Sequence, residues 1–312
     1  MTLPEAIERY RSQLELLNYS PATIAAYCRS LDRFAAFLAG IGQHDLAAVT
    51  TQQIHNYQRD IYYCPTVHGT ARSPKTQNQL LIAVKNLFAF LHEEGILVRN
   101  PAAELHYARE PQTLPRNILT PQEARRVIEA ADIQTTLGYR DRTILEVLYS
   151  TGVRKAELLA LTVGNVNLEE ELLRINNGKG AKDRIAPLST VACRYLETYI
   201  KAIRPQLARE HGKPHRPTTD RLFLSTQARP LARTTLDTLI EKYAKSARIK
   251  KRVTCHVWRH TCATHLLQNK ANLRHVQEIL GHRSLVTTER YLRVTITELK
   301  EAHRKFHPRE KS

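Results

Sequence analysis

Arg154, Lys179, His256, Arg259, His282 and Tyr291 are the side chains of this sequence that together could transfer a phosphoryl group without a metal. Such a reaction needs positive charge over the developing pentavalent phosphorus, a nucleophile, and an acid for the departing oxygen. Two arginines, a lysine, two histidines and a tyrosine supply those parts, and no Asp/Glu cluster accompanies them to hold magnesium.

Each of these residues sits in a local pattern that is weak by itself. Gly152 is placed to end one helix and Arg154 to start the next, with Glu157 three residues on, on the same face, able to hold the guanidinium fork. Taken singly, this is an ordinary surface ion pair. Lys179 stands between Gly178 and Gly180, which would let it swing toward a leaving oxygen, and Lys182 is an equal reading of the same role. A P-loop is excluded, because Gly180 and Ala181 follow Lys179 where Ser or Thr would be required.

His256 and His260 lie four apart on a predicted helix, yet Val257 occupies the position that a zinc protease gives to its glutamate. A metal set of His256, His260, Cys262 and His265 matches no common structural zinc spacing. His256 and Arg259, three apart, share a face and could meet one anion, while Trp258 between them reads as a core or interface residue. Finally, Gly281 ends a helix, His282 falls in the turn, and Tyr291 follows nine residues later near the end of the next short helix.

The elements that must hold these groups are mostly helical. Thr120, Pro121 and Glu123 combine an N-cap, an N1 proline and a capping-box glutamate, so a helix and a second domain begin there. Residues 172–176 and 184–188 read as two strands joined by a glycine-rich turn, a hairpin carrying Lys179 and Lys182 at its tip. The pattern then predicts a short strand over 222–224, a helix over 234–247, and three short helices over 253–292. Ahead of this lies a helical bundle over 1–106, with starts at Ser20–Pro21, Thr50 with Gln53, and Ser73–Pro74, and a stop at Gly95. Residues 107–118, with Pro111 and Pro115, read as a linker to a second domain over 119–312. The fold class is mainly α with a small β-hairpin.

A chain of 312 residues has room for two cores, and it contains no run of apolar residues long enough to span a bilayer. Glu5, Glu8, Arg9 and Arg11 stand where a signal peptide would be apolar, so a soluble intracellular protein is expected. Five scattered cysteines without a CxxC pair argue against a disulfide framework and a zinc ribbon. Residues 1–108 carry nine Lys/Arg against nine Asp/Glu, leaving 38 against 21 in the remainder, which therefore holds the whole net charge of +17. That is the footprint of a polyanion binder; the number alone fits DNA, RNA or a membrane surface equally.

In order and spacing the four clusters resemble the tyrosine recombinase (integrase) family, and its Xer-like site-specific recombinases in particular. The family pattern is an arginine box with Glu three residues on, a hairpin lysine, His-x-x-Arg, and Gly-His with a Tyr nine residues after that His. Arg154 with Glu157, Lys179, His256 with Arg259, His282 and Tyr291 occupy it in order, over roughly residues 119–310. The first hundred residues look like the family's core-binding domain, and the tail over 301–309 looks Xer-like.

The resemblance implies a site-specific DNA recombinase that cuts and rejoins strands through a 3′-phosphotyrosyl intermediate, with no metal, ATP or other cofactor. It implies Tyr291 as nucleophile, Arg154, Arg259 and His282 on the scissile phosphate, His256 in hydrogen bonding or proton transfer, Lys179 as acid, and Glu157 in support. Its partners would be double-stranded DNA and further subunits, a tetramer on paired sites formed by this chain alone or with a second recombinase. The last helix, after about residue 295, would dock on a neighbour, and the enzyme would work in the cytoplasm at the nucleoid. A type IB topoisomerase-like nicking enzyme shares this chemistry but needs neither the tail nor synapsis. An accessory DNA-binding protein would need the charge and none of the reactive groups, and a zinc-dependent hydrolase would need a ligand spacing not found here.

Overall fold

Helix starts in the first part of the chain are set by side chains that accept the unpaired N–H groups of the first turn. In the computed structural model, which describes residues 1–64, 69–111, 117–176, 183–211 and 219–281, the Ser20 hydroxyl accepts from the Thr23 N–H at 3.1 Å to open a helix at Pro21. Ser73 does the same for Thr76 at 3.2 Å. Thr50 and Gln53 form a reciprocal box, each accepting from the other's backbone N–H. The resulting helices are α1 (Leu3–Leu16), α2 (Pro21–Gly40), α3 (Thr51–Tyr63) and α4 (Pro74–Glu93). The sequence reading passed over α1, although the Glu5 carboxylate accepts from the Thr2 N–H at 2.8 Å in the expected way. Its buried stripe of Leu3, Ala6, Ile7, Tyr10 and Leu14 joins a core in which Leu31, Phe34, Tyr57, Leu87 and Phe88 are wholly buried. These helices belong to a first compact unit, Met1–Gln112; a second spans Thr113–Ser312.

The second unit is built around α6 (Thr136–Thr151) and α11 (Cys255–Gln268), which pack on one another. Around them stand α5 (Pro121–Glu129), α7 (Lys155–Ala160), α8 (Thr190–Thr198), α9 (Arg204–His211), α10 (Arg233–Ser246) and α12 (Leu273–Leu280), with a π-helical turn at Tyr199–Ile203 between α8 and α9. Ile144, Leu145, Leu148 and Trp258 are fully buried between them. The entry to the unit is pinned to α11. Leu119 N–H donates to the Thr261 hydroxyl at 3.2 Å, and the Leu119 carbonyl accepts from His265 Nε2 at 2.9 Å. Because a carbonyl can only accept, Nε2 carries the ring proton, and Nδ1 of the neutral ring takes the Tyr149 hydroxyl at 2.8 Å.

Strands β1 (Val166–Asn167), β2 (Leu172–Ile175) and β3 (Arg184–Pro187) form an antiparallel sheet in that order. β2 and β3 pair Leu173 with Ala186 and Ile175 with Arg184. Cross-strand partners share a face, so Arg184 points to the same side as Leu173, Ile175 and Ala186, all buried. The strand expected over 222–224 is not formed. Leu222, Phe223 and Leu224 are buried because they line the core, and the bridges here are isolated ones, Thr162 to Arg221 and Leu224 to Pro230. A buried apolar run looks alike in sequence whether or not a ladder holds it. The hairpin tip with Lys179 and Lys182, and everything from His282 through Tyr291 to the tail, lie outside the described residues, as does the third of the short helices expected over 253–292.

Within α6 itself lies a buried ion pair with no counterpart in the sequence reading. Arg140 donates to Asp141 Oδ1 through Nε and Nη2 at 2.9 and 2.6 Å and to the Leu224 carbonyl at 2.7 Å. Tyr243 donates to Asp141 Oδ2 at 2.9 Å. Burial pushes the Asp141 carboxyl up, against the pull of Arg140.

Candidate active site

The site begins where α6 stops. Gly152 adopts a left-handed conformation (φ 57°), which an L side chain rarely takes, and a Cβ there would lie 2.7 Å from Leu280 Cδ2. Two residues later Arg154 sits at the N-cap of α7 in extended backbone, its N–H satisfied by Glu157 Oε2 at 2.8 Å. The Arg154 guanidinium donates to Glu157 Oε1 at 2.7 Å and to the Gly281 carbonyl at 3.0 Å. Of its five N–H donors two are used in these bonds, and 40% of the side chain remains exposed.

Arg259 comes from α11, more than a hundred residues away, and is buried. It donates to the Gly152 carbonyl at 2.7 Å and to the Leu280 carbonyl at 2.6 Å. A third guanidinium joins them: Arg184, on β3, donates to the Ile279 carbonyl at 3.0 Å. The last carbonyls of a helix have no partner within it. Here Ile279, Leu280 and Gly281, the C-terminus of α12, are satisfied in turn by Arg184, Arg259 and Arg154. Gly281 is again left-handed (φ 65°), and a Cβ on it would meet Arg184 Cδ at 2.8 Å. The next residue is His282.

Glu157 is the anionic centre of the group. Burial raises its carboxyl, but the hydrogen bonds from Arg184, from the Arg154 N–H and from the Arg154 guanidinium outweigh this and hold it down to about 2. Arg184 grips it with a bidentate fork at 2.8 and 2.7 Å. His256 stands one turn from Arg259 on α11 and is exposed. It lines a groove of about 730 Å³ whose walls include Lys155, next to Arg154, together with Lys250 and Arg252. One turn further on, His260 is driven toward its neutral form, first by burial and then by His256 and Arg259.

Of the seven residues singled out in the sequence, Arg154, Glu157 and Arg259 are thus gathered around one helix end, and His256 occupies the exposed flank of the helix that carries Arg259. Lys179, His282 and Tyr291 lie outside the described residues. Arg184 was missed as a member of the site. The suggested metal set does not assemble: both nitrogens of His265 are engaged, and burial pushes the Cys262 thiol up to about 12, away from the thiolate a metal binds. Among the described residues no group of three His, Cys, Asp or Glu stands close enough to hold an ion.

Residues 117–298 match the phage integrase family, and residues 7–95 match the phage integrase N-terminal SAM-like domain. The chain belongs to the phage integrase family, the tyrosine recombinases, and is an enzyme of the tyrosine site-specific recombinase type. Tyrosine recombinase XerC 2 of Ralstonia nicotianae is 33% identical over 308 residues, covering 99% of this chain and 87% of the relative. Tyrosine recombinase XerD of Staphylococcus aureus is 34% identical over 304 residues, covering 97% and 98%. Among solved structures, XerA recombinase is 30% identical with a TM-score of 0.52 over 98% of this chain and 99% of its own. The Tn1549 transposon integrase in complex with a circular intermediate DNA shares the fold at a TM-score of 0.74 and 19% identity, covering 98% and 100%.

Proposed function

We propose that this enzyme cuts and rejoins double-stranded DNA at specific sites through a covalent link between Tyr291 and a 3′-phosphate. The observation that carries the reading is the convergence of Arg154 and Arg259 on neighbouring carbonyls at the end of α12, directly ahead of His282. Two guanidiniums fixed in this way are preorganised to receive the non-bridging oxygens of a phosphodiester as negative charge builds on them. Tyr291 gives up its phenolic proton, to His256 or to solvent, as Oη attacks phosphorus; the bond to the 5′-oxygen breaks, and Lys179 delivers a proton to that oxygen. His282 joins the arginines on the phosphate, and His256 hydrogen-bonds or relays a proton at its edge.

One phosphate ester replaces another, so a 5′-hydroxyl from a second strand reverses the step without ATP. Lys182 is the alternative proton donor on the same hairpin. The positive groove beside His256 and the +17 of the second unit suit the flanking phosphates, and the helical unit before it would add DNA contacts of its own. Solved relatives are described as a lambda integrase tetramer bound to a Holliday junction and as XerH bound to a difH substrate. By analogy this chain assembles as a tetramer on paired DNA sites, with its last helix docked on a neighbour, alone or with a second recombinase. Among the described residues no helix is long and apolar enough to cross a membrane; the proposed place of work is the nucleoid in the cytoplasm.

Denaturing capture of the protein from its own cells, followed by sequencing of the DNA that stays attached, tests this reading. A discrete enriched site, linked through its 3′-phosphate, is expected; uniform background after denaturation would contradict it.

A further inference from the structure

Glu157 carries one negative charge and receives two guanidiniums. If Arg154 were its only partner, the two would form a neutral ion pair with both carboxylate oxygens open to the fork, and Arg154 would have little charge to offer a phosphate. Arg184 changes that arrangement. Its own fork occupies both oxygens, Nη1 on Oε1 at 2.8 Å and Nη2 on Oε2 at 2.7 Å, leaving Arg154 a single side-chain bond to Glu157 and a second to the Gly281 carbonyl. The side chains of Arg184 and Glu157 are 8% and 7% exposed, whereas that of Arg154 is 40% exposed. The buried pair therefore balances itself and the exposed arginine keeps its charge.

We propose that Arg184 is a positioning residue of the recombination reaction, neutralising Glu157 so that Arg154 is held in place yet remains a net cation facing the scissile phosphate. Through Nε it also fixes the Ile279 carbonyl, and with it the helix end from which His282 departs. It does this from strand β3, on the sheet face that points inward. The inference rests on the reading of Arg154 as a phosphate ligand.

Single-turnover cleavage of a nicked duplex carrying the site recovered by covalent capture tests it, with four variants. Arg184→Met leaves Glu157 to Arg154 alone and is expected to slow cleavage on the order of a hundredfold, the cost of a misplaced catalytic group, with DNA affinity within about twofold of wild type because Arg184 faces inward. Arg184→Met combined with Glu157→Gln removes the surplus carboxylate and is expected to recover most of the lost rate. A purely structural arginine would give no such rescue. Arg184→Lys, which keeps the charge and loses the fork, is expected to fall between wild type and Arg184→Met, and it carries the comparison if Arg184→Met does not fold. Cleavage by Arg184→Met or Arg184→Lys at the wild-type rate, or a folded double variant as slow as Arg184→Met, would overturn the proposal. Arg154→Ala separates the two levels: if it cleaves normally, the reading of the site itself fails, whereas a slow Arg154→Ala beside a normal Arg184→Met removes only the role given to Arg184.

Discussion

Arg259 donates to the carbonyl oxygen of Gly152 at 2.7 Å, and through it braces the turn that presents Arg154 two residues later. The two guanidiniums are thus linked through the backbone of this turn and of the α12 end, where Arg259 bonds the Leu280 carbonyl and Arg154 that of Gly281. Arg154→Ala and Arg259→Ala should each slow formation of the covalent complex about a hundred- to a thousandfold, the loss of ~2.7 to 4 kcal/mol of transition-state stabilisation. Duplex affinity should change far less, with the salt dependence of binding reduced by about one phosphate contact. Single-turnover cleavage beside gel-shift titration measures both.

Gly281 must be glycine for two reasons, its left-handed backbone and the Arg184 side chain 2.8 Å from where a Cβ would stand. Gly281→Ala should lower the melting temperature by the equivalent of about 1 to 2 kcal/mol and slow cleavage as well, because it displaces the helix end that Arg154, Arg184 and Arg259 share. Gly164→Ala is the matched control: a Cβ there meets nothing within 4 Å, and neither stability nor cleavage should move.

The buried Arg140–Asp141 pair of α6 gives a stability prediction independent of the site. Asp141→Asn leaves Arg140 charged and unbalanced in the core, which should cost about 3 to 5 kcal/mol. Tyr243→Phe, which removes one hydrogen bond to the same carboxylate, should cost about 1 to 3 kcal/mol. Trp258 is the single tryptophan of the chain and is fully buried in the second unit, so its emission during urea unfolding reports on this unit alone.

The pH dependence of stability has a definite sign. Burial lowers the folded pKa of His265 below its ordinary 6.5, against the pull of the Leu119 carbonyl, and burial, His256 and Arg259 lower that of His260. Below 6.5 the unfolded chain takes up protons that the folded chain refuses, so stability is full above that value and falls as the pH drops through it toward the lowered folded pKa. Glu157 acts at a separate, more acid range: its contribution is present above 4.5 and lost as the pH falls from there toward about 2. Melting temperatures measured from about pH 8 to about pH 5 should decline only in the lower part of that range. His265→Gln keeps a donor for Leu119 and an acceptor for Tyr149 without titrating, and should flatten the decline, leaving the share due to His260.

Much of this was legible because it is local. Caps such as Ser20, Thr50, Ser73 and Thr120 act on their own first turn, and each marked a helix that formed. The Arg154–Glu157 pair was legible for the same reason, being three residues apart. Arg184 was not, because its partners lie 27 and 95 residues away. A signal for it existed in the hairpin register. With Ala186 and Leu188 facing inward, alternation puts Arg184 inward too, and a buried arginine needs a carboxylate or several carbonyl acceptors. The Arg140–Asp141–Tyr243 group carried no such signal, since two adjacent charged residues on a helix read as solvated until the fold buries them. The expected strand over 222–224 failed in the opposite sense, its apolar run being filled by the core with only bridging contacts.

The role of Tyr291 is tested most directly by mixing wild-type and Tyr291→Phe protein with the recovered DNA site and resolving the products on a denaturing gel. Wild type should yield a protein–DNA band that protease removes, and Tyr291→Phe should yield none while still shifting the same duplex under native conditions. A covalent band of wild-type intensity from Tyr291→Phe would contradict the account.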